Sequence, residues 1–364
     1  MKPQLNINIE NVKHNTRELV RIAHENNMTV AGITKGCCGN ESFALAQVEA
    51  GVDYLADSRI ENLIKLQHLP VEKMLLRSPK LSEVEDVVRY AQYSLNSEFK
   101  IIEALSSAAM KLNTVHQIIL MIDMGDLREG IWFEDEVKIH QTITKTLKLQ
   151  GVELVGIGVN LTCFGGVIPS VANYGYIVEL AKNIRSIYNI PLPIVSGGNS
   201  SSLQMLYSGE IPKGINHLRI NQSLYLGYEI AHGHALKDWK SDVISLRAEI
   251  IEIQTKPSFP MGEFAKMNAF GAIKNFPDKG VRTRAILAIG RQDLNIEGLK
   301  AMDPHITIEG GSSDHLIIDI TDSKINYEVG EWINFHVTTY STVLTAMASN
   351  YIDKVTINEN IQCY

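Results

Sequence analysis

The sequence predicts an α/β chain: a parallel (β/α)8 TIM barrel over residues 1–233, followed by a β-rich C-terminal domain over residues 234–364. Three observations lead there. Eight short apolar runs alternate with helix-period segments over roughly 220 residues, the count of a closed parallel barrel. The runs are apolar throughout, as strands buried on both faces must be. From about Leu236 the pattern changes to period-two alternation between turn residues, as in antiparallel sheet. A doubly wound open sheet is the alternative, since short strands are easily miscounted.

The elements follow in order. Val12, Leu19, Ile22 and Ala23 mark an amphipathic helix over residues 11–27. Residues 29–33 are the first strand, running into Thr34-Lys35-Gly36. Phe43, Leu45, Ala46 and Val48 mark a helix closed by Gly51. Tyr54-Leu55-Ala56 leads to Asp57-Ser58, either of which can cap a helix carrying Ile60, Leu63 and Ile64. Met74-Leu75-Leu76 precedes a helix with Leu81, Val84, Val87, Val88 and Ala91 on one face. Tyr93-Ser94-Leu95 precedes another with Phe99, Ile102, Leu105 and Ala109. The fifth strand, residues 117–122, ends in the polar turn from Asp123 to Gly130. After a helix over 136–147 comes the sixth, residues 154–161. The seventh, Pro193-Ile194-Val195, runs into Ser196-Gly197-Gly198-Asn199-Ser200-Ser201-Ser202. The eighth, His217-Leu218-Arg219-Ile220, runs into Asn221-Gln222-Ser223.

In the C-terminal part, residues 243–253, 282–289, 315–320 and 332–337 alternate with period two. Pro257, Gly280, Gly310-Gly311 and Gly330 separate them, and a helix signal returns only at 341–349.

Composition excludes several functions. With 45% hydrophobic and 21% charged residues the chain is an ordinary globular one. A net charge of −7 and the lack of a Lys/Arg stripe argue against nucleic acid and acidic membranes. No apolar run reaches about 18 residues, and no signal region opens the chain. Cys37, Cys38, Cys163 and Cys363 lack metal-site spacing, so no metal is expected, and a reducing cytoplasm is.

The chemistry starts at Lys35, where the first apolar strand stops. A lysine is ordinarily exposed. One at the carboxyl end of a barrel strand is held by rigid backbone and partly shielded, and desolvation leaves more of its amine neutral. The loops after strands seven and eight are where such barrels hold phosphate. Gly197-Gly198-Asn199-Ser200-Ser201-Ser202 and Asn221-Gln222-Ser223 are both small and donor-rich, and a helix amino terminus follows the first. A strand-end lysine facing a phosphate cradle points to pyridoxal 5′-phosphate. Arg219 would then meet the pyridine nitrogen, since a guanidinium donates without readily giving up a proton. Arg128 has a similar claim on an anionic oxygen of cofactor or substrate.

The ordered set Ile33-Thr34-Lys35-Gly36, residues 55–62, the turn ending at Arg128, Gly198-Asn199-Ser200-Ser201, residues 218–222, residues 284–293 and Ser312-Ser313-Asp314-His315 resembles the fold-type III pyridoxal-phosphate enzymes. This is the alanine racemase superfamily, and the likeness is greatest to its branch of ornithine racemase and related amino-acid racemases. It covers almost the whole chain. The resemblance implies that Lys35 carries the cofactor and serves as one of two racemising bases. It implies that Arg219 bonds the pyridine nitrogen, and that Asn199, Ser200, Asn221, Gln222 and Tyr351 line the phosphate. Arg128 contacts the phenolate and the substrate carboxylate, and Asn160 stands where many relatives carry a histidine over the ring. Ser313 and Asp314 fall near the substrate carboxylate. It further implies a homodimer in which the β-rich domain of one copy covers the barrel mouth of the other.

One departure stands out. The tyrosine that such racemases place opposite the lysine aligns with Phe270, within Asn268-Ala269-Phe270-Gly271-Ala272, and has no proton to exchange. Asp314 and His315 are the candidates for the second base, and an imidazole titrates near neutrality. The expected activity is amino-acid racemisation, of ornithine or a related amino acid. The alternatives are a basic amino-acid decarboxylase of the same fold type, disfavoured because Cys363 is the only cysteine of the β-rich domain, and a non-catalytic pyridoxal-phosphate carrier, disfavoured because that domain is present.

Overall fold

The computed structural model describes residues 1–267, 269–271 and 276–359. The chain divides into two units: Asn8–Val243, and Met1–Ile7 together with Ile244–Tyr364. The first residues, expected in the barrel, belong to the second unit instead. Strand β1 (Gln4–Asn8) pairs antiparallel with a late strand, Leu5 opposite Leu246, so sheet pairing outweighs chain proximity.

The unit Asn8–Val243 alternates as expected. It contains α1 (Ile9–Glu25), β2 (Thr29–Ile33), α2 (Glu41–Glu49), β3 (Tyr54–Asp57), α3 (Ile60–Lys65), β4 (Glu72–Leu75), α4 (Val84–Tyr90), β5 (Tyr93–Asn96) and α5 (Phe99–Lys111). It continues with β6 (His116–Asp123), β7 (Ile131–Trp132), α6 (Glu136–Thr146), β8 (Val152–Gly158), α7 (Val171–Tyr188), β9 (Ile194–Ser196), α8 (Leu203–Ser208), β10 (His217–Ile220) and α9 (Gln222–Leu226). The strands run β5-β4-β3-β2-β10-β9-β8-β6 and close through β5 on β6, giving an eight-stranded parallel barrel. The two-residue β7 merely flanks β6.

Alternation along each strand splits the core in two. Ala31, Ile33, Ala56, Met74, Leu95, Ile119, Met121 and Val155 fill the barrel as one cluster. Their neighbours Leu75, Ile118, Leu120 and Ile122 join Val87, Ile102, Leu105, Ile177 and Ile184 in a larger cluster between strands and helices. Side chains cap the helices: Asn8 accepts from the Asn11 amide (3.0 Å) and Asn40 from that of Phe43 (3.0 Å), satisfying amides the first turn leaves open. At α3 the cap position falls to Arg59, which contributes no side-chain bond; Asp57 accepts the Arg59 amide from the turn before it. Helix α7, 18 residues long, fills the gap before the seventh barrel strand, a stretch left without an element on sequence grounds.

The second unit contains β11 (Ile244–Pro257), β12 (Val281–Leu287), β13 (Leu299–Ala301), β14 (Thr307–Gly311), β15 (Leu316–Asp319), β16 (Trp332–Val337), α10 (Tyr340–Ala348) and β17 (Asp353–Ile357). Its order is β13-β16-β11-β12-β15-β14, with β1 joining β11 to β17. Leu246, Ala248, Ile250, Leu287, Ile318 and Phe335 are buried within it. No helix among the described residues is long and apolar enough to cross a membrane.

Candidate active site

Lys35 is the first residue after Thr34 closes β2, and it opens a tight 3-10 turn through Cys37. The preceding residue anchors it. The Thr34 hydroxyl donates to Oδ2 of Asp57 at 2.7 Å, and the Thr34 amide donates to Ala56 O at 2.9 Å. Asp57 is wholly buried and also accepts from the Arg59 amide (2.9 Å) and from Asn62 Nδ2 (3.1 Å). Burial pushes its carboxyl above the usual 3.8 despite these bonds. A Cβ on Gly36 would lie 2.7 Å from the Tyr225 hydroxyl, so no side chain fits beside the lysine there. Tyr225 itself is stacked on Phe43, ring centres 4.7 Å apart.

Burial lowers the Lys35 amine below its ordinary 10.5. Cys163, Asp57 and Glu129 draw it back, and Arg128 pushes it further down. Among the described residues its Nζ has no hydrogen bond or ion pair.

Arg219, on β10, is buried. It donates from Nη2 to Val159 O at 2.8 Å and from Nη1 to Ser196 Oγ, whose other neighbour is His217 Nδ1 at 2.7 Å. Burial brings the guanidinium down to about 10, which still leaves it charged at neutral pH. A Cβ on Gly158 would stand 3.5 Å from Arg219 Nη1 and 3.1 Å from Ser196 Cβ.

The loop after β9 turns at Gly198, whose φ of +100° favours glycine. Asn199 is spent within the protein. Its Nδ2 donates to Asn160 Oδ1 (2.9 Å), Leu161 O (2.8 Å) and Cys163 Sγ (3.2 Å), and its Oδ1 accepts from the Ser201 amide (2.8 Å). It therefore joins the loops after β8 and β9. Ser200 Oγ accepts from the amides of Asn221 (3.2 Å) and Ser223 (3.4 Å), joining the loops after β9 and β10. Gln222 donates weakly to the Tyr228 hydroxyl at 3.4 Å. Asn160 Nδ2, Ser201 Oγ and Ser223 Oγ are buried with no partner among the described residues. Three buried polar groups without partners are costly unless a ligand meets them. They accord with a phosphorylated ring such as pyridoxal 5′-phosphate bound against these strand ends.

Arg128 follows β6 and pairs with Glu129 at 2.8 Å. The turn before it is set by Asp123, whose Oδ1 accepts from the Gly125 (3.0 Å) and Leu127 (3.2 Å) amides. Asp126 is buried and accepts from the amides of Cys163 (3.0 Å), Phe164 (2.9 Å) and Val167 (3.2 Å), so it is not free for a substrate ammonium. Lys35, Arg128, Glu129, Cys163 and Arg219 share one electrostatic neighbourhood: Glu129, Cys163 and Arg128 bear on the titration of both Lys35 and Arg219.

The β-rich unit holds the other expected residues. Asp314 Oδ1 accepts from the Ser312 hydroxyl (3.1 Å) and lies 3.3 Å from His315 Nδ1, both side chains exposed. The Ser313 backbone packs directly on Gly290, where a Cβ would collide with it. Tyr351 is exposed. The exposed Phe270 ring lies 5.2 Å from the Arg291 guanidinium, while Asn268, Ala272 and Cys363 fall outside the described residues. Among the described residues no three His, Cys, Asp or Glu side chains group as metal ligands. Sequence reasoning missed Thr34 with Asp57, Ser196 with His217, and the Asp126 clasp. All but His217 are small or acidic residues at or just beyond the carboxyl end of a barrel strand, which is the signal that could have found them.

Comparison with known proteins agrees with this geometry. The chain is 44% identical to ornithine racemase of Acetoanaerobium sticklandii, over 97% of this chain and 99% of that protein. It is 35% identical to lysine racemase of Thermotoga maritima, over 97% and 98%. Alanine racemase from Bartonella henselae, whose structure contains covalently bound pyridoxal phosphate, superposes with a TM-score of 0.73 at 19% identity, covering 98% of this chain and all of that one. Residues 7–229 match the family described as alanine racemase, N-terminal domain, and the chain belongs to that family.

Proposed function

We propose that this chain is a pyridoxal-phosphate-dependent amino-acid racemase that interconverts the enantiomers of ornithine or a closely related basic amino acid. The observation that carries the reading is the desolvated, unpaired Lys35 amine in the same field as Arg128 and Arg219, beside buried polar groups that lack partners. Full-length similarity to racemases of two basic amino acids supports the substrate class.

When bound, the cofactor draws electrons from the substrate α-carbon and so acidifies its hydrogen. Lys35 takes or returns that proton at Nζ on one face, which a lowered pKa favours. Arg219 would donate to the ring nitrogen and keep its own proton, leaving the proton transfers to positioned bases. Ser200, Asn221 and Gln222, with Asn199 holding their loops, would bind the phosphate, and Asn160 would meet the ring. Arg128, its charge shared with Glu129, takes the substrate carboxylate. The second proton-transfer group comes from the β-rich unit of a second copy in a cytoplasmic homodimer; Asp314 and His315 are our candidates, with Ser313 beside the carboxylate and Tyr351 at the phosphate.

The test incubates the purified, cofactor-loaded protein with pure L-ornithine in heavy water. Loss of optical rotation together with deuterium at the α-carbon is expected. Retained rotation without exchange defeats the reading, and carbon dioxide release would replace it with decarboxylation.

A further inference from the structure

His217 takes no part in the chemistry above, yet it stands at full burial inside the barrel. It lies opposite Ser196 in the β9–β10 pairing and two residues before Arg219, which puts it on the same inward face as that arginine. We infer that Ser196 and His217 act together as positioning residues for Arg219, fixing the direction of its guanidinium toward the group it serves; that this group is the pyridine nitrogen rests on the racemase reading.

The hydrogen-bond geometry favours one arrangement. A guanidinium only donates, so Ser196 Oγ must accept from Arg219 Nη1. The serine's own proton then needs an acceptor. Those in reach are His217 Nδ1 at 2.7 Å and His217 O at 3.5 Å, and the ring nitrogen is much the better placed. It accepts only when unprotonated, so the ring is neutral with its proton on Nε2. The opposite tautomer would leave the serine proton only the His217 carbonyl at 3.5 Å, whereas Nε2 is buried without a partner among the described residues in either tautomer. Burial, reinforced by the arginine's charge, pushes the imidazole down to about 3, in keeping with a neutral ring. Val159 O holds the other terminal nitrogen, so both ends of the guanidinium are tied to neighbouring strand ends.

Two measurements decide this. In protein labelled with 15N-histidine, and without added cofactor, the His217 resonances (assigned by their loss in His217→Gln) should report a neutral ring protonated on Nε2 from about pH 5 to 9. Ser196→Ala should shift that tautomer balance. In the cofactor-loaded enzyme, Ser196→Ala and His217→Phe should each lower kcat roughly tenfold with KM changed less than about twofold, and the double variant should be no worse than either single. His217→Gln, whose carbonyl can accept from Ser196, should recover most of the loss. A charged ring, an Nδ1-protonated ring, or fully additive losses would overturn the relay. If wild-type protein fails to carry cofactor on Lys35, the racemase reading falls, and the tautomer measurement still decides the relay.

Discussion

The Thr34 hydroxyl and the buried Asp57 carboxylate, 2.7 Å apart, tie the residue before the lysine to the end of the neighbouring strand. Thr34→Val removes one donor from a buried acceptor and should cost about 1–3 kcal/mol of stability. Because the lysine turn loses its anchor, kcat should fall about tenfold to a hundredfold. Chemical denaturation and steady-state kinetics check both. An active, equally stable variant would show that the backbone alone holds Lys35.

Lys35→Ala should abolish the visible band of the cofactor-loaded protein and lower turnover by on the order of 10³-fold or more. Borohydride treatment of the wild type should fix the cofactor on the peptide containing Lys35. Full activity in the variant would refute the assignment.

Gly158→Ala probes the space in front of Arg219. The added methyl would stand 3.1 Å from Ser196 Cβ and 3.2 Å from Met121 Sδ. Overpacking of this size costs about 1–3 kcal/mol. Cofactor affinity, measured by absorbance titration, should weaken in parallel.

Asp126→Ala leaves three backbone amides of the 163–167 segment without their acceptor. The cost should be at least ~2 kcal/mol. Limited proteolysis should begin cutting within that segment, a pattern absent from the wild type.

In the β-rich unit, burial pushes the Asp319 carboxyl up, but bonds from Arg282 and Thr321 outweigh it and hold the carboxyl below 3.8. A carboxyl lowered by folding adds stability above its unfolded value, and that stability is lost as pH falls through the folded value. Asp319→Asn should therefore lower the thermal midpoint at neutral pH and flatten the loss of stability below about pH 4. An unchanged acid limb would dismiss the Arg282 pair as a contributor.

Much of the barrel was legible because its strands are apolar on both faces. Residues 217–220 were placed to the residue, and 332–337 in the second unit likewise. The edges were not: β13, β14 and β17 are short and carry Lys, Glu or Gly, so neither period nor apolarity marks them.

The sequence by itself determined the alternation, the place of Lys35 at a strand end, of Arg128 in the turn after the fifth barrel strand and of Arg219 on the eighth, and the donor-rich loops, since all of these are local pattern. Only the tertiary structure decided that Asn199 and Asp126 work as clasps, that Asp57 anchors the lysine turn, and that Met1–Ile7 joins the late strands. The reason is physical. Apolar period is written in neighbouring residues, whereas a polar side chain's role depends on which distant donor or acceptor barrel closure brings within about 3 Å of it.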